Sequence, residues 1–423
     1  KQVLDELPDA DRCLLLETLP TDLPFDLTVP ILPDGIYWKR SSQDRWNSMN
    51  YVCDYDNSWK RLYLERHLQE YIENLELEEY NLQNIEHLVN LCSPYVKRLN
   101  IRQLQAAKVP ESLEWQSEED VILDEPSSIH HINLEPFIKG LCNLEELHIM
   151  FGVRNCGMDF AWNLFKFSIV DCRNIGLGLD SAKSIKLFRI HRSMLYDTHV
   201  AVLMQHVVKN SNITKLDFSH CRIGDTGALA IGKVLTIHPM LEELVLCNNL
   251  ICGKGAAGIA YALTQLSCKL KILNLRLNAI GDDGVLDLCS SLAYNKCLQE
   301  LILGACSFTE KAAIKLGQML QQNCTLLFLD VKNNYLGEVG GEAFNLGLKT
   351  NSTLLRLDIR RTGITEEYES SINLILKQNN IKYKIWQREL ADAEQNKDEE
   401  WEEHVAERKE KLSRHIDTKH TKY

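Results

Sequence analysis

The stretch LKILNLRLNAIGDDG, Leu270 to Gly284, sets the frame for most of this 423-residue chain. Leu270, Leu273 and Leu275 precede Asn278 and Ile280, and the same pattern begins again at Ile185, Ile213, Leu241, Leu298, Leu326 and Leu354. The successive steps are 28, 28, 29, 28, 28 and 28 residues. Apolar residues fall at positions 1, 4, 6 and 11 of each unit. In one unit they are Ile213, Leu216, Phe218 and Ile223; in another they are Leu326, Leu329, Val331 and Leu336. A fixed period of this length is the mark of a stacked array.

Within a unit the hydrophobic period changes. Positions 4 and 6 alternate, as in a strand with one buried face. Later residues step by four, as in Leu288 and Leu292 or Leu316 and Leu320, which is helical spacing. A strand, a turn and a helix in about 28 residues make a leucine-rich solenoid. The fold class is α/β. The unit length and the Asn/Cys slot resemble the ribonuclease-inhibitor-like subclass, which implies a curved horseshoe with parallel strands inside.

Position 9 carries Asn249, Asn278 and Asn334, with Ser193, Cys221, Cys306 and Thr362 in the same slot of other units. The chain leaves the strand there, so a short polar side chain is needed for backbone groups that would otherwise be buried unpaired. Gly227, Gly255, Gly284 and Gly340 stand at each helix entrance, where a side chain would crowd the next unit. Asp225 and Asp282 are expected to cap their helix starts.

Five regions are expected. Residues 1–35, with Pro8, Pro20, Pro24, Pro30 and Pro33, read as an extended arm. Residues 36–80 hold Trp38, Trp46 and Trp59 and a helical pattern from Ser58 to Glu76, and read as a helical cap over the first repeat. Residues 81–184 read as irregular leading repeats, with strand patterns at Val96–Ile101 and Leu144–Ile149, an acidic insertion at Glu111–Ser128 and a second insertion between Gly152 and Ser184. Residues 185–380 are the seven regular repeats. Residues 381–423 read as one long charged helix with the seam Trp386, Leu390, Ala393, Trp401, Val405 and Leu412. That seam is a candidate protein contact.

Chemistry is sparse. The net charge of −12 argues against broad phosphate-backbone binding, so no nucleic acid partner is expected. No apolar run reaches membrane-spanning length, and the opening Lys1-Gln2-Val3-Leu4-Asp5 lacks secretory-leader character. The 14 cysteines include no C-x-x-C and fit apolar repeat positions, which suggests free thiols in a reducing compartment. Asn212, Asn323 and Asn351 open glycosylation triplets that would be idle there. GKGAAG at Gly253 lacks the phosphate-loop lysine, and His130-His131 reads as an inert surface pair. No catalytic residue, cofactor or metal is expected.

The informative surface is the concave one. Arg189, Arg192, Lys215, Asp217, His220, Asn248, Arg276, Asp330, Arg356, Asp358 and Arg360 flank buried strand positions and point inward. Mixed charge on a rigid wall suits specific protein recognition, with basic ends near residues 189 and 360.

The strings DGIYWKR, DRWN, NSWKRLYLERHL, LEELHIMFGVRNCGMDFAWNLFKFSIVDC and LNLRLNAIGDDG resemble the dynein regulatory complex subunit 5 family, from about Asp34 to Asn379. The resemblance implies a non-enzymatic scaffold subunit of the nexin–dynein regulatory complex in the axoneme of motile cilia and flagella. Its implied partners are other subunits, coiled-coil and leucine-rich, and the doublet microtubule assembly, where the complex restrains dynein sliding. The charged tail is not a feature of that resemblance. An alternative is a GTPase-activating horseshoe of the Ran-activating kind, using Asn248, Asn274 and Arg276. A ribonuclease inhibitor would need carboxylates and aromatics where Arg189, Arg192, Arg360 and Arg361 stand.

Overall fold

The structure is a computed structural model that describes residues 6–46, 50–104, 131–154, 158 and 166–389. Nine short strands line up in chain order as one parallel sheet: β1 Arg98–Ile101, β2 Glu146–Ile149, β3 Leu187–Ile190, β4 Lys215–Asp217, β5 Glu243–Val245, β6 Ile272–Asn274, β7 Glu300–Ile302, β8 Phe328–Asp330 and β9 Arg356–Asp358. Each crossover from β3 onward carries a helix, from Asp197–Val207 to Gly337–Thr350. The register joins like to like. Leu216, Leu244, Leu273, Leu301, Leu329 and Leu357 pair in succession, each the fourth residue of its unit. Leu99, Leu147 and Phe188 extend the row, and all but Leu357 are fully buried. One repeat cannot bury its own leucines; stacking makes a continuous core between strand and helix layers.

The turns that close each strand are identical in kind. The eighth residue of all seven regular units, Arg192, His220, Asn248, Leu277, Ala305, Asn333 and Arg361, has φ between 50° and 60°. One left-handed residue turns the chain out of the strand. The ninth-position side chain then links neighbours, as expected. Asn278 Nδ2 donates to Leu246 O and Leu275 O at 2.8 Å each, while its Oδ1 accepts from Ile251 N at 3.2 Å. Asn249 and Asn334 repeat this, and the Cys306 thiol lies 3.2 Å from Leu275 O.

A second asparagine ladder runs where several repeat helices end, and Asn379 inside the last helix continues it. Asn323 Nδ2 donates to Leu292 O, Asn351 Nδ2 to Leu320 O and Asn323 O, and Asn379 Nδ2 to Asn351 O. Asn323 and Asn351 are buried, and their carbonyl oxygens hold the backbone of Thr325 and Thr353. Two of the glycosylation triplets are therefore part of the solenoid's internal bonding.

The aspartates act differently from expectation. Asp225 begins the helix Asp225–Ile237, yet its Oδ1 accepts from Cys252 N and Gly255 N of the next unit. Asp282 accepts from Thr309 N, and Asp197 from Gly224 N, in the same forward direction. They cap their neighbours' helices, because the stacking places each carboxylate beside the next N-terminus.

The N-terminal end is closed by helices. Trp59–Asn74 lies over β1 and Ile36–Arg45 packs on that helix, with Trp38 buried and Ser58 capping the helix Trp59–Asn74 through Arg61 N. Glu65 and Glu73 supply acceptors to the open strand edge: Glu65 Oε1 accepts from Lys97 N and Arg98 N, and Glu73 Oε1 from Arg102 N. The expected extended arm over 1–35 needs correction, since residues Asp9–Thr18 and Phe25–Ile31 are helical. Pro8 and Pro24 immediately precede these helices, where a missing N–H is harmless. Lys60 is buried and donates to Val29 O and Leu32 O, tying the arm to the cap.

Other expectations shift as well. The stretch between Gly152 and Ser184 includes a helix, Ile169–Ser181, that packs in line with the repeat helices. His131 is not a surface residue: it is buried, with Nδ1 3.1 Å from Asp171 Oδ2. The acidic insertion Glu111–Ser128 lies outside the described residues. The last helix runs without a break over 366–389, so the boundary expected at 380 falls inside it. Among the described residues no helix is long and apolar enough to cross a membrane.

Candidate protein-recognition face

Side chains at positions 3, 5 and 7 of each unit project from the sheet on the side away from the helices. The structure brings the expected concave residues together mainly as pairs that neutralise one another. Arg189 meets Asp217 at 2.7 Å, with Nη1 3.2 Å from His148 Nδ1. Lys215 meets Glu243 at 2.6 Å. Lys332 bridges Asp330 at 2.9 Å and Asp358 at 3.5 Å, and Arg360 meets Asp358 at 2.6 Å. Arg356 lies over the Phe328 ring, 3.8 Å from its centroid. Upstream, Arg98 pairs with Glu146 at 2.7 Å.

These pairs set the local electrostatics. The hydrogen bond from His148, with Arg98 beside it, holds the Glu146 carboxyl down at about 2. The Arg360 guanidinium holds Asp358 at about 2. Burial, with Arg189 nearby, holds His191 neutral down to about 4. The basic ends expected near residues 189 and 360 are thus largely cancelled. A signal for this pairing was present in the frame: Arg189 and Asp217 are 28 apart, as are Lys215 and Glu243. One repeat step places such residues side by side on adjacent strands.

The centre of the wall differs from its ends. Val245, Ile272 and Ile302 are half-buried there beside Asn274 and Arg276. Arg276 has no carboxylate within ion-pair distance among the described residues, and its buried Nε lacks a hydrogen-bond partner. Asn274 Oδ1 is occupied by Arg276 N. His220 and Asn248 bond each other at 3.0 Å on the upper rim, where Arg192 and Arg361 also emerge. The middle therefore offers Arg276 beside apolar residues and Glu300, while on the flanks most charges, apart from Arg192, Arg356 and Arg361, meet a carboxylate or cation among the described residues.

The tail seam is only partly described. Trp386 is exposed on the helix over 366–389, with Ile381 and Ile385 near it. Leu390, Trp401, Val405 and Leu412 lie outside the described residues.

The fold and its two asparagine ladders define a leucine-rich-repeat protein, and a leucine rich repeat family model matches residues 209–232, 266–289 and 322–344. Those matches begin 57 and 56 residues apart, two frames each. Beyond the class, the chain is similar to dynein regulatory complex subunit 5. The mouse protein (Mus musculus) is 35% identical over 236 residues, 55% of this chain and 47% of its own length. The macaque protein (Macaca fascicularis) is 34% identical over 268 residues, 62% of this chain and 53% of its own. The algal protein (Chlamydomonas reinhardtii) is 30% identical over 194 residues, 46% of this chain and 44% of its own. The chain spans about half the length of these relatives.

Proposed function

We propose that this chain is a scaffold subunit of a dynein regulatory complex in the axoneme of cilia or flagella. Its partners would be other subunits, coiled-coil and leucine-rich, on the doublet microtubule, and it would help regulate dynein-driven sliding without chemistry of its own. The observation that carries the reading is the similarity to dynein regulatory complex subunit 5 in mammals and an alga. The wall supports it: many of its charges pair across adjacent strands, and the half-buried Arg276 side chain at the centre has no carboxylate among the described residues, with its Nε unpartnered. A wall on which most charges are paired, with only a few cations lacking a carboxylate among the described residues, favours a specific contact over a nonspecific one.

The test is assembly. Doublets stripped of dynein arms by salt, from cells in which this chain is tagged, should retain it with the other subunits. Arg276→Glu should weaken its retention while leaving the fold intact, because the Arg276 side chain makes no ion pair among the described residues and its backbone bonds are kept. Loss of the parent chain from doublets that keep the other subunits would overturn the reading. The Ran-activating alternative predicts instead that the chain accelerates single-turnover GTP hydrolysis, with Arg276→Glu abolishing the effect.

A further inference from the structure

The rim where the helices end carries a feature that the solenoid does not require. The position four residues before each following unit begins reads Lys209, Ile237, Leu266, Tyr294, Gln322 and Thr350. The slot is solvent-facing, and polar residues fill it at both ends of the row. In three consecutive units it is apolar and open: Ile237 is 64% exposed, Leu266 96% and Tyr294 79%. Tyr261 and Met240 are also exposed in this region. Single exposed apolar residues are ordinary, but a contiguous row at one repeat position is not.

A shallow groove of about 330 Å³ lies in the same three units, lined by Pro239, Met240, Lys269, Lys271 and Lys296 among others. Lys271 is paired with Glu242 at 2.7 Å. Lys269 and Lys296 are exposed and have no carboxylate partner among the described residues; Lys296 Nζ lies 3.5 Å from the Cys324 thiol. In a chain of net charge −12, this rim is locally basic and apolar.

We propose that this rim is a docking surface for an acidic amphipathic helix of a partner protein, separate from the concave wall. Two arguments select that occupant. Packed helices stand about 8–10 Å apart, which sets the step between successive units on this side. Seven residues of α-helix rise about 10.5 Å, so a helix laid across the units meets Ile237, Leu266 and Tyr294 with residues i, i+7 and i+14. That is a heptad seam. The free lysines beside the row then require carboxylates on the flank of that seam, and a basic flank would be repelled.

The probe is a synthetic three-heptad helix with leucine on the seam and glutamate on its flank, dye-labelled, and a twin with lysine in place of glutamate. Binding to the full chain is read by fluorescence anisotropy. The acidic helix should bind, and the basic twin should bind about tenfold or more weaker. Leu266→Ser with Tyr294→Ser should weaken the acidic helix about tenfold. These side chains are exposed, so circular dichroism should be unchanged. Lys269→Glu with Lys296→Glu should invert the preference toward the basic twin, an effect that misfolding cannot produce. Arg276→Glu should leave this binding alone, which separates a failure here from a failure of the concave wall. Equal binding of the two helices, or parent-like binding by both double variants, would overturn the proposal.

Discussion

The carboxylate of Glu65 substitutes for a missing strand: its Oε1 lies 2.9 Å from the backbone nitrogen of Arg98 and 2.9 Å from that of Lys97. The same oxygen receives Arg61 Nε at 2.7 Å. Burial holds this carboxyl above its usual range, and the three donors offset only part of that. The array thus begins with an acidic side chain on a helix, which occupies the strand edge and keeps another chain from pairing with it. Glu65→Ala leaves the half-buried N–H groups of Lys97 and Arg98 unpaired and removes one partner of the buried Arg61 guanidinium. We expect a loss of about 3 kcal/mol, since each orphaned group costs about 1–3 kcal/mol. Glu65→Gln keeps an acceptor oxygen and should lose roughly half as much. Urea denaturation gives both values, and faster amide exchange at Lys97 and Arg98 in the alanine variant would localise the effect.

The forward cap made by Asp225 predicts a coupling between units. Asp225→Ala should destabilise by about 1–2 kcal/mol, the usual cost of a lost cap. The amides that speed up in hydrogen exchange should be Cys252 and Gly255, in the next unit, and not those of the aspartate's own helix. Gly255→Ala should mimic it, because a Cβ there would stand 2.6 Å from Asp225 Oδ1. If the exchange change falls on residues 225–228 instead, the forward cap is wrong.

What was legible in the sequence is what repeats in identity. The row from Leu216 to Leu357 and the ladder of Asn249, Asn278 and Asn334 stood out because one residue type fills one slot. The second ladder did not, although Asn210, Asn295, Asn323 and Asn351 all sit three residues before a unit begins. His238 takes the slot in one unit, its Nε2 2.9 Å from Asn210 O, and the asparagines resembled modification signals instead. The arm's helices are not legible from its prolines, because Pro8 and Pro24 sit just before a helix, where proline is tolerated, and Pro30 falls in the last turn of the short helix Phe25–Ile31. Charge pairing across the wall was hidden by reading each strand alone, since Arg189 and Asp217 meet only when units are overlaid.

Close helix contacts were equally invisible, and they carry a prediction. A Cβ on Gly317 would stand 2.4 Å from Ala343 O, and one on Gly347 would stand 2.4 Å from Gly317 O. These are backbone atoms of the helices Glu310–Gln322 and Gly337–Thr350, so no side chain can move aside. Glycine to alanine inside a helix ordinarily gains about 1 kcal/mol. Here overpacking of about 1–3 kcal/mol opposes it. Gly317→Ala and Gly347→Ala should each therefore lower stability by up to about 2 kcal/mol in urea denaturation. A stabilised variant would show that the two helices separate freely.

Acid should unfold the cap through His67. Burial holds this imidazole down to about 4, and Arg45 adds to the effect. Its Nδ1 lies 2.7 Å from Arg45 Nη1, which donates, and its ring stacks on Phe25 at 4.2 Å. An unfolded chain takes up this proton through about pH 6.5, whereas the folded chain resists it until about 4. Between those values the unfolded state binds more protons, so the stability present above pH 6.5 is lost as pH falls toward 4. His191, also held to about 4, adds to the same window from the wall. The urea midpoint should fall steadily from pH 7 to pH 4, and His67→Gln should flatten part of that slope. The carboxylates held at about 2, Glu146 and Asp358, add their own loss below about pH 5, where unfolded carboxyls take up protons, so the histidine slope is read between pH 7 and about 5. A slope unchanged in the His67→Gln variant would mean that the imidazole is already charged in the folded cap.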